Sequence, residues 1–534
     1  MSTLNLKIPA QFDIDNPEVE TRPAELAHWI DNLPYVDANV VINEITTALI
    51  ALNKQKVPPQ VRLTLLDLYN KPVNFVLKAI EEDYLRQNRR ATDKKAVRDN
   101  ITKNMLNELS LGYKAAVIES QQQKKLWGQG KLSALTIQRA VRSLSQLLVI
   151  HYLTYSETPA GIWNEIYQLY SYAEANDLKD AEVRETDNRS TTVEQCFKQV
   201  TLLGLIGAYG LRPAEIMSVY RYLEKYASSA RLIKVKKLVD PYGHFIINMR
   251  SDERAWPYAH LKDIREVSHW CMLNTAELLI CVTRDINTLR KNKKPSDINM
   301  VSIDSTERCI ELLKHLHVSW GTAAMRHSRR EAADGVLQTV TGLMAIYYFL
   351  NGEKNIDHSK YTGTVNENDI RITSQRDSIA RRGSEVFSKN ALYLINQSEG
   401  GLAVYTESDN TALQVGQLIG ILSESNTWKV GVVRWFHNKK QRTEAGIQYI
   451  ATDARPVSVR SSVGEKIETE FREGLMFTRK DKESKTVTDS LLIPKGLFKK
   501  DRTLKVDVGN KIIDVTAENL IESSNYFEEI TVQK

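Results

Sequence analysis

The sequence predicts an α+β multidomain protein: a large α-helical N-terminal region, then a six-stranded antiparallel β-barrel, then a small β-rich C-terminal module. Three observations carry this reading. The chain has 534 residues, too many for one hydrophobic core. Apolar residues recur at three- and four-residue spacing through most of residues 1–320, the period of helices buried along one face. From Val336 the pattern changes to short apolar runs bounded by turn residues, as strands require. The expected divisions are 1–320, 321–455 with an insertion at about 351–390, and 456–534.

In order, residues 1–20 read as an irregular lead-in, with Pro9 and Pro17 preventing a long helix. Thr21 and Pro23 suit a helix start before Ala24 to Ile30, and Val36 to Leu52 repeats the helical spacing until Pro58 and Pro59. Leu63 to Leu85 follows, kinked or broken at Pro72, and after a polar stretch the pattern resumes over Ile101 to Ile118. Ile137, Val141, Leu144, Leu148, His151 and Tyr155 form one stripe; Trp163, Ile166, Tyr167, Tyr170 and Ala173 form the next. Another helix pair is expected at Thr192 to Tyr209 and Pro213 to Tyr226, with Pro213 in the first turn. Successive hairpins of this kind suggest an interaction domain stacked in solenoid fashion, although no clean repeat is present. Arg231 to Val235 and His244 to Met249 read as a small hairpin across Asp240 to Gly243. Helices return at Ala276 to Arg290 and Glu307 to Val318, each preceded by a Thr or Ser able to cap it.

Barrel strands are expected at Val336 to Thr341, Leu392 to Asn396, Leu402 to Tyr405, Gln417 to Leu422, Lys429 to Phe436 and Ala445 to Ile450. Leu343 to Leu350 offers a helix after Gly342, and Ser458 to Val515 contains further strand-like segments with a turn at Asp507 to Asn510.

Charge and composition exclude several classes. With 72 basic and 66 acidic residues the net charge of +6 is small for this length, so nucleic acid is not the expected partner despite basic clusters at Lys291 to Lys294, Lys439 to Arg442 and Lys499 to Arg502. The four cysteines lack the paired spacing of a zinc site, so no metal is expected, and no apolar run reaches the roughly 20 residues that span a bilayer. The N-terminus carries no secretory signal, and a reducing, cytoplasmic setting follows. Neither GxxxxGK[ST], HExxH nor GxSxG occurs, so the chain is not expected to be an enzyme.

Two segments stand out. Arg326-His327-Ser328-Arg329-Arg330 gathers three guanidiniums with no carboxylate before Glu331, so an external anion or planar acceptor is their natural partner. Asn396-Gln397-Ser398-Glu399-Gly400-Gly401 is a polar turn in which Asn396 and Ser398 can bond backbone, while Gly400 and Gly401 permit positive φ and close approach of a ligand. Together they resemble the PilZ domain signature, RxxxR followed by (D/N)xSxxG. Arg326 and Arg330 fit the first part, and Asn396, Ser398 and Gly401 the second. Val430 to Trp435 and Gly446 to Tyr449 are similar to the family's later strands.

The resemblance implies a bacterial second-messenger receptor that binds cyclic di-GMP with no other cofactor. Arg326 and Arg330 would wrap around the nucleotide, Arg329 would meet a phosphate, and Asn396, Ser398 and Gly401 would line the barrel surface. The interval between the two segments is wider than the family's, and the inserted Arg376, Arg381 and Arg382 are auxiliary candidates. Binding would alter how the helical region packs or which protein partner, not identified by these residues, it engages. Two alternatives stay open: a scaffold whose barrel has lost the nucleotide, and an RNA-binding regulator using the basic loops.

Overall fold

The computed structural model describes residues 4–534 apart from 16, 86–92, 124–129, 185–189, 262–267, 292, 301, 304, 323–330, 358–386, 408–412, 424–425, 440–441, 464–465, 468–469, 481–486 and 510. The chain divides into two compact units, Met1–Met325 and Arg326–Lys534.

The first unit is built on helices α1 (Pro23–Asp31), α2 (Ala38–Lys54), α3 (Pro59–Leu85), α4 (Asp93–Gln123), α5 (Gly130–Leu153), α6 (Ile162–Ala175), α7 (Val193–Leu205), α8 (Pro213–Tyr226), α9 (Ala276–Leu289) and α10 (Thr306–Gly321). Local chemistry sets several ends. Asp37 caps α2 by accepting from Asn39 N, Thr192 and Gln195 form a reciprocal capping box on α7, and Pro213 occupies the first turn of α8. α3 continues through Pro72 for 27 residues; its buried face, with Leu65, Leu66, Tyr69, Val73 and Val76 all sealed from solvent, outweighs the one lost backbone bond.

These helices share one core rather than stacking as a solenoid. Buried side chains from Leu6 to Trp320 form a single cluster, and α5 packs on α4, α6, α7 and α8 while α3 reaches α8. In a solenoid each repeat touches only its neighbours. Besides a two-residue pairing of β1 (Val183–Arg184) with β2 (Ser190–Thr191), the unit holds a sheet of β3 (Arg231–Lys234), β4 (His244–Asn248), β5 (Trp256–Pro257) and β6 (Trp270–Asn274) in the order β3-β6-β4-β5. The expected hairpin of β3 with β4 does not form. β6 inserts between them and pairs antiparallel with both, Leu273 opposite Leu232 on one side and Phe245 on the other. Of the two expected caps, Ser305 accepts from Arg308 N, whereas the Thr275 hydroxyl donates instead to Trp320 O at 2.6 Å, joining the sheet to the end of α10.

The second unit begins with β7 (Glu331–Ala332), β8 (Val336–Thr341), α11 (Leu343–Leu350), β9 (Asn390–Ser398), β10 (Gly401–Thr406), β11 (Leu418–Leu422), β12 (Trp428–Asn438) and β13 (Thr443–Ala451). Strands β8-β9-β10-β13-β12-β11 close on β8 as a six-stranded antiparallel barrel, with Leu402, Val404, Val433 and Ile447 buried on its inner face. The C-terminal module is a second closed barrel. Its strands are β14 (Arg455–Val463), β15 (Lys466–Ile467), β16 (Arg472–Lys480), β17 (Val487–Ile493), β18 (Thr503–Asp507), β19 (Ile512–Ser523) and β20 (Glu528–Gln533), closing as β14-β16-β17-β20-β19-β18 with β15 paired to β14.

The two barrels are joined through their outer faces. Val340, Leu418, Val430 and Val432 point outward from the first barrel, Leu475, Phe477 and Leu492 from the second, and Ile346 and Tyr347 of α11 pack with them into one buried cluster.

Candidate functional site

The residue that follows Arg330 in the chain, Glu331, opens β7. β7 pairs with the C-terminal half of β9, Glu331 opposite Gln397 and Ala332 opposite Asn396; β8 pairs with the N-terminal half, from Val336 opposite Tyr393 to Thr339 opposite Asn390. β7 and β8 are therefore one strand broken between them, where Gly335 adopts a φ of 148°. Arg326, Arg329, Arg330, Arg376, Arg381 and Arg382 lie outside the described residues, as does most of the expected insertion.

Asn396 sits just past a bulge in β9. Ala403 of β10 faces Asn396 but the next residue, Val404, faces Leu394, leaving Ile395 without a partner on β10. The bulge brings Asn396 onto the outer face. Its Oδ1 is closed off from solvent and accepts no hydrogen bond among the described residues. A bare buried acceptor of this kind costs about 1–3 kcal/mol, and a donor brought by a ligand would remove that cost.

Ser398 closes the two-residue hairpin over Glu399 and Gly400: its hydroxyl donates to Gly401 O at 3.2 Å, leaving its lone pairs as the free function. The expectation that Gly400 and Gly401 supply positive φ is corrected, since neither is in the left-handed region. Gly401 is required by crowding instead. A Cβ there would stand 2.1 Å from Ile447 O and 3.1 Å from Gln448 Cα of β13.

Register partners on an antiparallel sheet share a face, and three rows cross the outer face here. The middle row runs Ala332, Asn396, Ala403, Gly446 and Trp435. The Trp435 indole lies directly on Gly446, where an added Cβ would meet its Nε1 at 1.9 Å. To one side run Tyr393, Tyr405 and Glu444, the two tyrosines stacked at 5.0 Å and Arg442 lying 4.9 Å over the Tyr405 ring. To the other run Ser398, Gly401, Gln448 and Val432, with Arg434 Nε donating to Gln448 Oε1 at 2.7 Å. Small residues thus make a trough with aromatic and cationic walls. Burial pushes the Glu444 carboxyl up, but hydrogen bonds from Lys439 and Arg442 outweigh this and hold it below the usual range, so it stays charged beside the tyrosines.

Of the residues gathered on this face, the sequence suggested Asn396, Ser398 and Gly401 as ligand contacts but not Tyr393, Tyr405, Arg434, Trp435 or Arg442. The available signal was the pair Trp435 and Gly446 on candidate neighbouring strands.

Elsewhere, a cavity of about 700 Å³ runs along α9, lined by Tyr242, Ile280, Arg284, Lys291 and His317 among others, with no carboxylate in its lining. Among the described residues no His, Cys, Asp and Glu group is placed to hold a metal, and no helix is long and apolar enough to cross a membrane.

Two family models match. The N-terminal domain of the cyclic-di-GMP receptor FimW matches residues 24–236, and the middle PilZ domain of that receptor matches residues 244–381 and 355–456. The cyclic-di-GMP receptor FimW of Pseudomonas aeruginosa is 23% identical over 538 residues, an alignment covering 92% of this chain and 84% of that protein.

Proposed function

From the matches to the N-terminal and middle PilZ domains of the cyclic-di-GMP receptor FimW, we propose that the chain is a PilZ-type cyclic di-GMP receptor whose ligand sits in the trough of the first barrel. The observation that carries this is the buried Oδ1 of Asn396, unpartnered among the described residues and standing opposite Ala332, two residues along the chain from Arg330. Guanine presents N–H donors on one edge and the acceptors O6 and N7 on another. Asn396 supplies the acceptor for the first, and an arginine fork suits the second.

In this reading Arg326 and Arg330 close over the nucleotide and Arg329 takes a phosphate, with Arg376, Arg381 and Arg382 as auxiliaries. Ser398 accepts through its lone pairs, and Gly401 keeps β10 and β13 close enough for the row beside the trough to stay level. The chain acts by binding and not by catalysis, in the cytoplasm, a setting that its four free cysteines favour. The helical unit carries the output, either by rearranging or by offering a protein partner the cavity along α9. Arg284 and Lys291 on its wall match an acidic partner segment.

Calorimetry tests the site. Cyclic di-GMP titrated into the full chain gives heat, and Arg326→Ala/Arg330→Ala weakens binding by at least the about 1–3 kcal/mol of one guanine fork, about 5- to 150-fold. Undiminished affinity in the double variant sinks the assignment of the arginines.

A further inference from the structure

We propose that Arg434 is a further nucleotide-binding residue, and that a ligand phosphate takes it from Glu522 of the second barrel, so that binding loosens a tie between the two barrels. This rests on the receptor reading above. Arg434 is the bulge residue of β12, unpaired between Val433 and Trp435, and a bulge re-aims a side chain. Its guanidinium is divided between two claims. Nε donates to Gln448 Oε1 at 2.7 Å, while Nη1 and Nη2 donate to Glu522 Oε1 and Oε2 at 2.6 and 2.8 Å. Gln448 faces Gly401, which faces Ser398, so the guanidinium grips the row that ends at the hairpin, at a residue about two strand spacings or 10 Å from Ser398. A ligand with two phosphates and two bases laid along the trough reaches that far.

Exchange of partners is physically easy at this position. The Arg434 and Glu522 side chains are 40% and 22% exposed, so water screens the pair and its net strength is small. A phosphate offers the same planar fork two oxygens and a full negative charge. Glu522 also adjoins an irregularity, the register shift between Leu520 and Glu522 in β19. Behind it is Glu529, only 2% exposed and paired with Arg479. Burial pushes the Glu529 carboxyl up; Arg479 opposes this, Glu522 adds to it and Arg434 opposes it. Withdrawing Arg434 leaves Glu522 and Glu529 facing each other with only Arg479 to offset them, so the seam no longer favours the joined arrangement that it held without ligand. The two states differ in contacts, which is the condition for a ligand to shift them.

The experiment is calorimetry with cyclic di-GMP on four full-length chains: wild type, Arg434→Gln, Glu522→Gln and the double variant, each checked for a cooperative melt. Arg434→Gln weakens binding. Glu522→Gln, which frees the guanidinium, tightens it by about two- to fivefold, the strength of a half-exposed ion pair. The double variant binds like Arg434→Gln. Hydrogen exchange on wild type is expected to rise at Ile521 to Asn525 when nucleotide is added. If Glu522→Gln binds no better than wild type, or the double variant exceeds Arg434→Gln, the exchange is overturned while the receptor reading stands. If Arg434→Gln does not fold, Arg434→Lys, which keeps charge without the fork, replaces it with the same expected loss. Absence of heat with wild type overturns the receptor reading itself.

Discussion

Asn396 separates affinity from stability at a single residue. With its Oδ1 buried and unpaired among the described residues, the side chain costs the unliganded barrel and serves when a donor arrives. Asn396→Ala is expected to raise the urea midpoint of the free protein, a gain of up to about 1–3 kcal/mol in unfolding free energy, and to weaken cyclic di-GMP binding in calorimetry. A variant that loses both stability and affinity marks Asn396 as structural. Residue types at this turn were readable from the sequence because Asn396, Ser398 and Gly401 are local in the chain. Their reasons were less so: Gly401 looked like a turn residue and is instead a clearance beneath Ile447 O of another strand. Tyr393, Tyr405, Arg434 and Trp435 escaped notice because their shared face depends on bulges at Ile395 and Arg434, each of which shifts the alternation by one.

At the level of elements, periodic stripes located the helices well, since burial of one face dominates their stability. The β3–β4 hairpin was misread because β6, the strand that separates them, lies beyond a long connection and has only five residues. His151 on α5 was placed on an apolar stripe, and its setting has a pH consequence. Burial, with Lys103 nearby, pulls the imidazole down to about 4, against the hydrogen bond from Nδ1 to Glu157 O at 2.6 Å. For a base whose folded value lies below the unfolded one, the unfolded chain binds more protons between the two, so stability rises with pH. The contribution is complete above about 6.5 and is lost as pH falls toward 4. Thermal melts between these limits should fall more steeply for wild type than for His151→Asn. Parallel slopes would remove His151 as the cause.

On the scale of the whole chain, the closure of the C-terminal module was hidden from sequence reading because its outward residues Leu475, Phe477 and Leu492 are apolar, blurring the in–out alternation that marks a barrel. Those residues have no water to face, being spent on the first barrel. If nucleotide binding rearranges the helical unit, solution scattering curves recorded with and without saturating cyclic di-GMP should differ. Superimposable curves would leave docking along α9 as the route of output.

One consequence of the break at Gly335 concerns cost. Glu331 and Ala332 are held to β9 by a two-residue ladder, continued only by single bonds at Ala333 and Gly335, whereas the other half of the same strand is anchored on both sides. So short a flap can lift and reseat without disturbing the barrel beneath it, at a small fraction of the global unfolding free energy. On the receptor reading proposed above, ligand exchange beside β7 would then run on a timescale of its own, leaving the scaffold's lifetime untouched.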